Sequence, residues 1–428
     1  MAKVTFIGAG SVIFAKQVMA DILSFSELQD ITFSLMDIDA ERLRVAELMA
    51  KQFSRRIGGR AKIETTMDRR TALKDADYVI HAIQVGGHEA TLFDFDIPRK
   101  YGLKQTIADT LGVGGVFRGL RTIPPLLELL RDMEEICPDA YLLNYSNPMA
   151  ILSLAAMKSS GIKYVGLCHS VQQTSEKLAE YISVPYSEIN YVVAGINHMA
   201  WFLRLEHKGK DLYPQLFDCL DKPEIYGDNK VRFEIMRHFG YFVTESSEHM
   251  AEYVPYFIKR EELIGKLDIP IDEYVRRSVR NIGRFEDTKA TLESGKDLET
   301  KLSHEYAAYI IHSLETGYER SFNGNVINNG LIENLPADSC VEVPCLVNKN
   351  GFQPVAVGKL PTQLAALNQT NISVQQLAVE GALKGKKEYI YNAVMMDPHT
   401  ASVLTLDEIR SMTDELFEAH AHLLPAFK

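Results

Sequence analysis

Val4-Thr5-Phe6-Ile7 is a short apolar, β-rich run, and Gly8-Ala9-Gly10-Ser11 follows it at once. A buried strand that turns on glycines into a helix constrains the fold of this chain more than any other stretch. The spacing predicts a helix from Ser11 through Ala15, Val18, Met19, Ile22 and Leu23, one face at i, i+3, i+4. Its unpaired N–H groups and dipole would face a pyrophosphate, which makes Gly8, Gly10 and Ser11 candidate cofactor-binding residues. The pattern departs at Ile13, where such turns usually carry Gly or Ala.

The next strand, Ile31–Met36, runs into Asp37-Ile38-Asp39. An acidic residue at the end of a second strand accepts hydrogen bonds from the adenosine ribose and repels a 2′-phosphate, so Asp37 favours NAD over NADP. The competing role for Asp37 is N-cap of the helix expected over 40–53, and Asp39 suits that role as well. A third strand (61–65), a short helix and a fourth strand (77–83) continue the alternation. Strands alternating with helices imply right-handed crossovers and an α/β fold: a Rossmann-like doubly wound parallel sheet. Gln84-Val85-Gly86-Gly87 leaves the fourth strand at its carboxyl end, where ligands bind in such sheets, and Val85 is a cofactor-binding candidate there. A long cleft-lining loop is expected from there to Tyr101-Gly102. Asp109-Thr110-Leu111-Gly112-Val113-Gly114-Gly115 is a glycine-rich turn before a helix, and Pro124-Pro125 predicts a kink or break in that helix.

The formal net charge of −11 disfavours nucleic acid or an anionic membrane as partner. Five scattered cysteines give no disulfide framework, and no apolar run of about 18 residues or secretory leader stands out, so a cytoplasmic protein is expected.

Tyr141–Asn144 reads as another strand, whose carboxyl end carries Asn144 and Asn147; their amides can reach cofactor or substrate, or simply shape the turn. Lys163–Leu167 delivers Cys168-His169-Ser170-Val171 to the same edge, and Tyr191–Ile196 delivers Asn197-His198. Cysteine and histidine suit a borderline-soft divalent metal. A lone cysteine after a strand is more often a small buried hydrophobe, so spacing leaves both readings open.

Together, Phe6–Ser11, Asn144-Tyr145-Ser146-Asn147-Pro148, Cys168-His169-Ser170-Val171 and Gly195-Ile196-Asn197-His198 resemble family 4 of the glycoside hydrolases. Asn328-Asn329-Gly330 and Val341-Glu342-Val343-Pro344-Cys345 extend the likeness over nearly the whole chain. The resemblance implies a tightly bound NAD and a divalent metal, commonly Mn2+, held by Cys168 and His198. It implies hydrolysis outside the usual two-carboxylate scheme. NAD takes hydride from C3 of the sugar, a base removes the acidified C2 proton, and the aglycone leaves by elimination. Water then adds and the hydride returns. Tyr253, within Glu252-Tyr253-Val254-Pro255-Tyr256, matches the family's tyrosine base, the other reading being a packed aromatic. His169 is the candidate acid near the leaving group, where some relatives carry Asp. Asp109 and Asn147 are assigned to the substrate, and Asn144 with Gly8, Gly10, Ser11, Asp37 and Val85 to NAD.

Relatives acting on 6-phosphorylated sugars carry an arginine in the stretch matching 87–92, which has none here. The resemblance therefore implies an unphosphorylated α-glycoside, and Cys168-His169-Ser170-Val171 is most similar to the family's α-galactosidases. α-Glucosidases and uronidases of the same family remain alternatives, as do a malate- or lactate-type dehydrogenase and a non-catalytic NAD sensor. The NAD-binding part is placed at 1–196. Residues 197–428 are expected to form an α+β domain that completes the site and makes the subunit contacts of a homo-oligomer, dimer or tetramer. Helices are expected near 230–239, 304–316 and 373–396, short strands at 341–343 and 355–357, and a turn-rich piece or hairpin at 322–330.

Overall fold

The computed structural model describes residues 2–299, 302–303 and 305–428. Its centre is one twelve-stranded sheet. Strands β1 (Lys3–Ile7), β2 (Thr32–Met36), β3 (Lys62–Thr66), β4 (Tyr78–His81), β5 (Tyr141–Asn144) and β6 (Lys163–Gly166) pair in parallel in the order β3-β2-β1-β4-β5-β6. β1 is flanked on both sides and its last four residues are buried, which is why it reads as an unbroken apolar run. The remaining strands are β7 (Ile189–Ile196), β8 (Met199–His207), β9 (Lys210–Asp211), β10 (Arg320–Ile327), β11 (Cys340–Asn348) and β12 (Gly351–Pro354). They extend the sheet in antiparallel fashion as β10-β11-β7-β8-β9, with β12 on β11. The Rossmann-like half thus passes without a gap into the α+β half, and residues 196 and 197 fall where β7 enters its turn to β8.

The first helix spans Val12–Ser24 with Ser11 as N-cap, and the second spans Ala40–Arg56. Asp39, not Asp37, caps the second: its carboxylate accepts from the N–H groups of Glu41 and Arg42. Two expectations are corrected. The stretch after Val85 is not a loop but a helix, Gly87–Lys100, entered through the left-handed Gly86 and burying Ala90, Phe95 and Ile97. Its glycine start and Pro98 in its last turn disguise it. The second correction is that the helix Gly112–Ile136 runs on through Pro124 and Pro125. Leu120, Ile123, Leu126, Leu129 and Leu130 are buried along it, and that packing outweighs two missing N–H donors.

In the C-terminal half, helices occupy Lys230–Phe239, Tyr306–Thr316, Thr362–Lys384 and Lys387–Met396. His304, the expected start of one of them, lies outside the described residues. The turn-rich piece at 322–330 is mostly strand β10, hairpinned against β11, and 355–357 follows β12 rather than forming a strand. Among the described residues no helix is long and apolar enough to cross a membrane.

Candidate active site

The glycine turn is built as its residues require. Gly8 sits at φ +90°, and a Cβ there would lie 2.4 Å from the carbonyl oxygen of Ala82, so the turn presses onto the end of β4. Gly10 donates its N–H to Asp37 Oδ2 at 2.7 Å, and a Cβ on Gly10 would meet that oxygen at 2.6 Å. Asp37 therefore closes the turn and stands at the sheet edge beside the start of the Val12–Ser24 helix. Val85 lies on the adjoining loop, its carbonyl bonded by Arg121 Nε at 3.1 Å. Asn144 is not brought to the cleft. Its Oδ1 accepts from Ser146 N–H at 3.1 Å and its Nδ2 donates to Ser146 O within the turn after β5, while Oδ1 also lies 2.8 Å from Nδ1 of His81 on the neighbouring β4.

Cys168 follows β6, and His198 occupies the two-residue turn between β7 and β8 with φ +64°. Cys168 Sγ lies 3.3 Å from His198 Nε2, with both residues buried. Glu245, another left-handed residue at φ +69°, brings Oε2 to 3.5 Å from the same nitrogen. One ligand atom from each of these three residues falls within 4.8 Å of the others, a set able to hold a metal ion. Two of the three donors, His198 and Glu245, thus sit on left-handed backbone, a conformation that side chains adopt uncommonly and that recurs at ligand clamps.

Ser246 caps the next helix, Ser247–Tyr253, its side chain accepting from His249 N–H. That helix turns His249 and Tyr253 toward His198. The His249 ring stacks edge-on against His198 at 4.6 Å, and its Nε2 lies 3.6 Å from Asp109 Oδ1. Tyr253 is buried, with Oη 2.7 Å from Thr110 Oγ1 and 3.5 Å from His198 Nδ1. Glu252 holds the opposing strap: its carboxylate accepts from the backbone N–H groups of Thr106, Ile107 and Ala108 at 2.9, 3.2 and 2.7 Å. Asp109 and Asn147 meet at 3.3 Å beside Arg118, whose Nε donates to Asn147 O and whose Nη1 donates to Tyr274 Oη. His169 is half-exposed at the rim, its Nδ1 3.4 Å from Glu305.

Burial governs the electrostatics. It pushes the Cys168 thiol well above its usual pKa, with Glu245 and Glu342 adding to the rise. Burial lifts the Tyr253 phenol likewise, offset in part by the Thr110 hydrogen bond. The same cause lowers His198 to about 4, leaving a neutral imidazole with a lone pair to offer. Burial opposes ionisation of Glu245, but His198, His249, His169 and Arg232 outweigh it and hold the carboxylate at about 2. For Asp109 too, burial is overcome, by His249 and Arg118, and its carboxyl sits below the ordinary range. What burial His169 has works against its charged form, yet Glu305 raises its pKa.

Glu245, His249, Thr110, Glu252, Arg118 and Glu305 went unassigned from the sequence. The four-residue steps 245, 249 and 253 were a visible signal for two of them; the others depend on long-range contacts.

A doubly wound α/β fold with a thiol, imidazole, carboxylate and phenol converging at its carboxyl edge defines a class of enzyme with the cofactor cleft and the polar cluster side by side. Residues 3–184 match the model of the family 4 glycosyl hydrolases, and residues 193–400 match that of the family's C-terminal domain. The chain belongs to the family 4 glycosyl hydrolases. It is 49% identical to an α-galactosidase of Bacillus subtilis (strain 168) over all of both chains. It is 36% identical to an α-galactosidase of Rhizobium meliloti (strain 1021), covering 99% of this chain and 89% of that one. A crystal structure of a 6-phospho-α-glucosidase from gut microorganisms in complex with NAD and Mn2+ shares the fold, with a TM-score of 0.85, 21% identity and complete coverage of both chains.

Proposed function

We propose that this enzyme is an α-galactosidase that releases terminal, unphosphorylated α-galactosyl groups (melibiose-type) and works with NAD and a divalent metal such as Mn2+. The observation that carries the chemistry is the contiguous path from Cys168 Sγ through the His198 ring to Tyr253 Oη, in steps of 3.3 and 3.5 Å. The galactoside rests on the full-length relative at 49% identity.

The residues present fit both groups. Cys168, His198 and Glu245 offer one sulfur, one neutral nitrogen and one carboxylate oxygen, a mixed set suited to a first-row divalent cation. Gly8, Gly10 and Ser11 frame the pyrophosphate place, Asp37 the ribose and Val85 the adjoining loop. When bound, NAD supplies a hydride acceptor for C3 of the sugar and the metal a Lewis acid for its C2 and C3 oxygens. Tyr253 Oη is the base for the C2 proton, and Thr110 Oγ1 steadies it by hydrogen bonding. His169 Nε2 gives a proton to the departing oxygen, with Glu305 orienting the ring from Nδ1. Asp109 and Asn147 hold sugar hydroxyls. Arg118, 3.8 Å from Asp109, has its charge already met, which favours a neutral sugar over a uronate. A homo-oligomer belongs to the same proposal, Val279 and Ile282 standing exposed on the helix Glu273–Glu293; sedimentation checks it.

The test is a chromogenic α-galactoside assay with NAD, Mn2+ and a reductant, beside α-glucoside and α-galacturonide. Turnover confined to the galactoside and lost on chelation or removal of NAD is expected. Activity surviving both removals refutes the mechanism, preference for another sugar refutes the substrate, and net NADH accumulation marks a simple dehydrogenase instead.

A further inference from the structure

A buried ionic relay lies behind the loop that leaves β4, outside the cluster described above. Arg121, on the helix Gly112–Ile136, is fully buried and grips Asp94, on the helix Gly87–Lys100, with Nη1 at 3.0 Å and Nη2 at 2.5 Å. Its third donor, Nε, goes to Val85 O at 3.1 Å. On the other side of Asp94 stands His420, which ends the helix Leu406–Ala419 and places Nε2 2.9 Å from Asp94 Oδ1. The carboxylate only accepts, so Nε2 carries the proton. Phe93 and Phe117 hold the His420 ring, each with its centroid 5.6 Å away. The chain then turns back so that Leu423 Cδ1 lies where a Cβ on Gly86 would come within 2.7 Å of it. Segment 420–424 therefore touches the loop twice, through Asp94–Arg121 to the Val85 carbonyl and directly at Gly86.

Fixing that carbonyl fixes the Val85–Gly86 peptide plane, and Gly86 at φ +80° sets the entry into the helix Gly87–Lys100. His420, Asp94 and Arg121 are buried and joined by hydrogen bonds that end on the partly buried Val85, with His420 Nδ1 lacking a partner among the described residues, and such a chain of bonds favours a single arrangement. We propose that His420 is a positioning residue for NAD binding, acting through Asp94 and Arg121 to hold the Val85–Gly86 loop in its binding form before the dinucleotide arrives. The inference rests on the reading of that loop as part of the NAD site.

The test is calorimetric titration of NAD into cofactor-stripped protein, with Mn2+ titrated separately. His420→Ala should raise the Kd for NAD about tenfold, as follows if the loop is then competent roughly one tenth of the time. His420→Gln, whose Nε2 reaches the same place, should restore it. Mn2+ affinity, set by another group of residues, should stay within about twofold of wild type. Should the alanine variant fail to fold, Leu423→Ala loosens the same loop from its other contact and should weaken NAD binding alone. A Kd for NAD that does not change in His420→Ala or Leu423→Ala, or an equal loss of NAD and Mn2+ binding, overturns the inference. Wild-type protein that binds no NAD overturns instead the cofactor reading on which it stands.

Discussion

Glu342→Gln should make the metal-free, NAD-free protein more stable, and increasingly so as the pH rises. Glu342 sits on β11, fully buried, opposite Asn325 of β10 and Gly195 of β7. Neither of its carboxyl oxygens finds a hydrogen-bond partner among the described residues, and neither do Asn325 Oδ1 and Asn197 Nδ2. Burial pushes the carboxyl up to about 8, with Glu245 contributing and the nearby Asn197 amide, too poorly placed to form a full hydrogen bond, working against the rise. The folded chain keeps this proton while the unfolded chain releases it near 4.5, so the native state loses stability as the pH climbs between those values and no more beyond the upper one. Each unit corresponds to about 1.4 kcal/mol, giving roughly 5 kcal/mol as the full span. Glutamine is neutral throughout, and its amide can donate to Asn325 and accept from Asn197. Urea unfolding of both proteins at pH 5 and pH 8 isolates the effect, because the other titrations cancel in the difference. We expect near equality at pH 5 and an advantage of about 2–5 kcal/mol for the variant at pH 8. A pH-independent difference, or a variant less stable at pH 8, refutes the reasoning.

Cys168→Ser should remove Mn2+-dependent turnover while circular dichroism stays that of the wild type; unchanged activity would reject Cys168 as a ligand. Tyr253→Phe should lower kcat by about 10²–10⁴ with little change in KM and abolish solvent exchange at C2, since only the oxygen contacted by Thr110 is lost; retained exchange points to another base. Gly10→Ala forces a Cβ against Asp37 Oδ2 and Arg42 Cβ, at 2.6 and 2.5 Å, and should weaken NAD binding at least about tenfold by calorimetry. Glu252→Gln leaves at most two of three strap N–H groups an acceptor and should cost about 1–3 kcal/mol in a thermal melt; an unaltered melting point would show that the strap is held by other contacts.

The parallel half was legible because its signals are local. A strand, a glycine turn and an apolar helical stripe lie within about twenty residues, and Asp37 closes the turn from the neighbouring strand. Cys168 and His198 could be placed at the ends of short apolar strands for the same reason, but spacing left their role open and only the family resemblance implied a shared metal. What could not be read was set by pairing at a distance. β10 joins β6 at the pair Asn325 and Gly166, 159 residues apart, and His420 meets Asp94 across 326. Periodicity carries no trace of such contacts. The Gly87–Lys100 helix was missed for the opposite reason: local punctuation from two glycines and a proline spoke for a loop, and tertiary burial overrode it.

The protonation states of the cluster bind its parts into one device. Cys168 and Tyr253 are both held protonated by burial, and in the proposed mechanism the one serves as ligand and the other as base only without its proton. His198 stands between them, one ring nitrogen toward the sulfur and the other toward the phenol. A cation held at the Nε2 side by Cys168, His198 and Glu245 would favour loss of the thiol proton directly and act on the phenol from across the His198 ring, because the site shields neither group with solvent. Asp109 and Glu245 are ionised already and supply the negative charge that makes the place attractive to a cation. In the proposed mechanism, the burial that keeps the resting thiol and phenol protonated makes their activation depend on a filled site, whereas a solvent-exposed phenol, ionising only near about 10, would gain nothing from exposure alone.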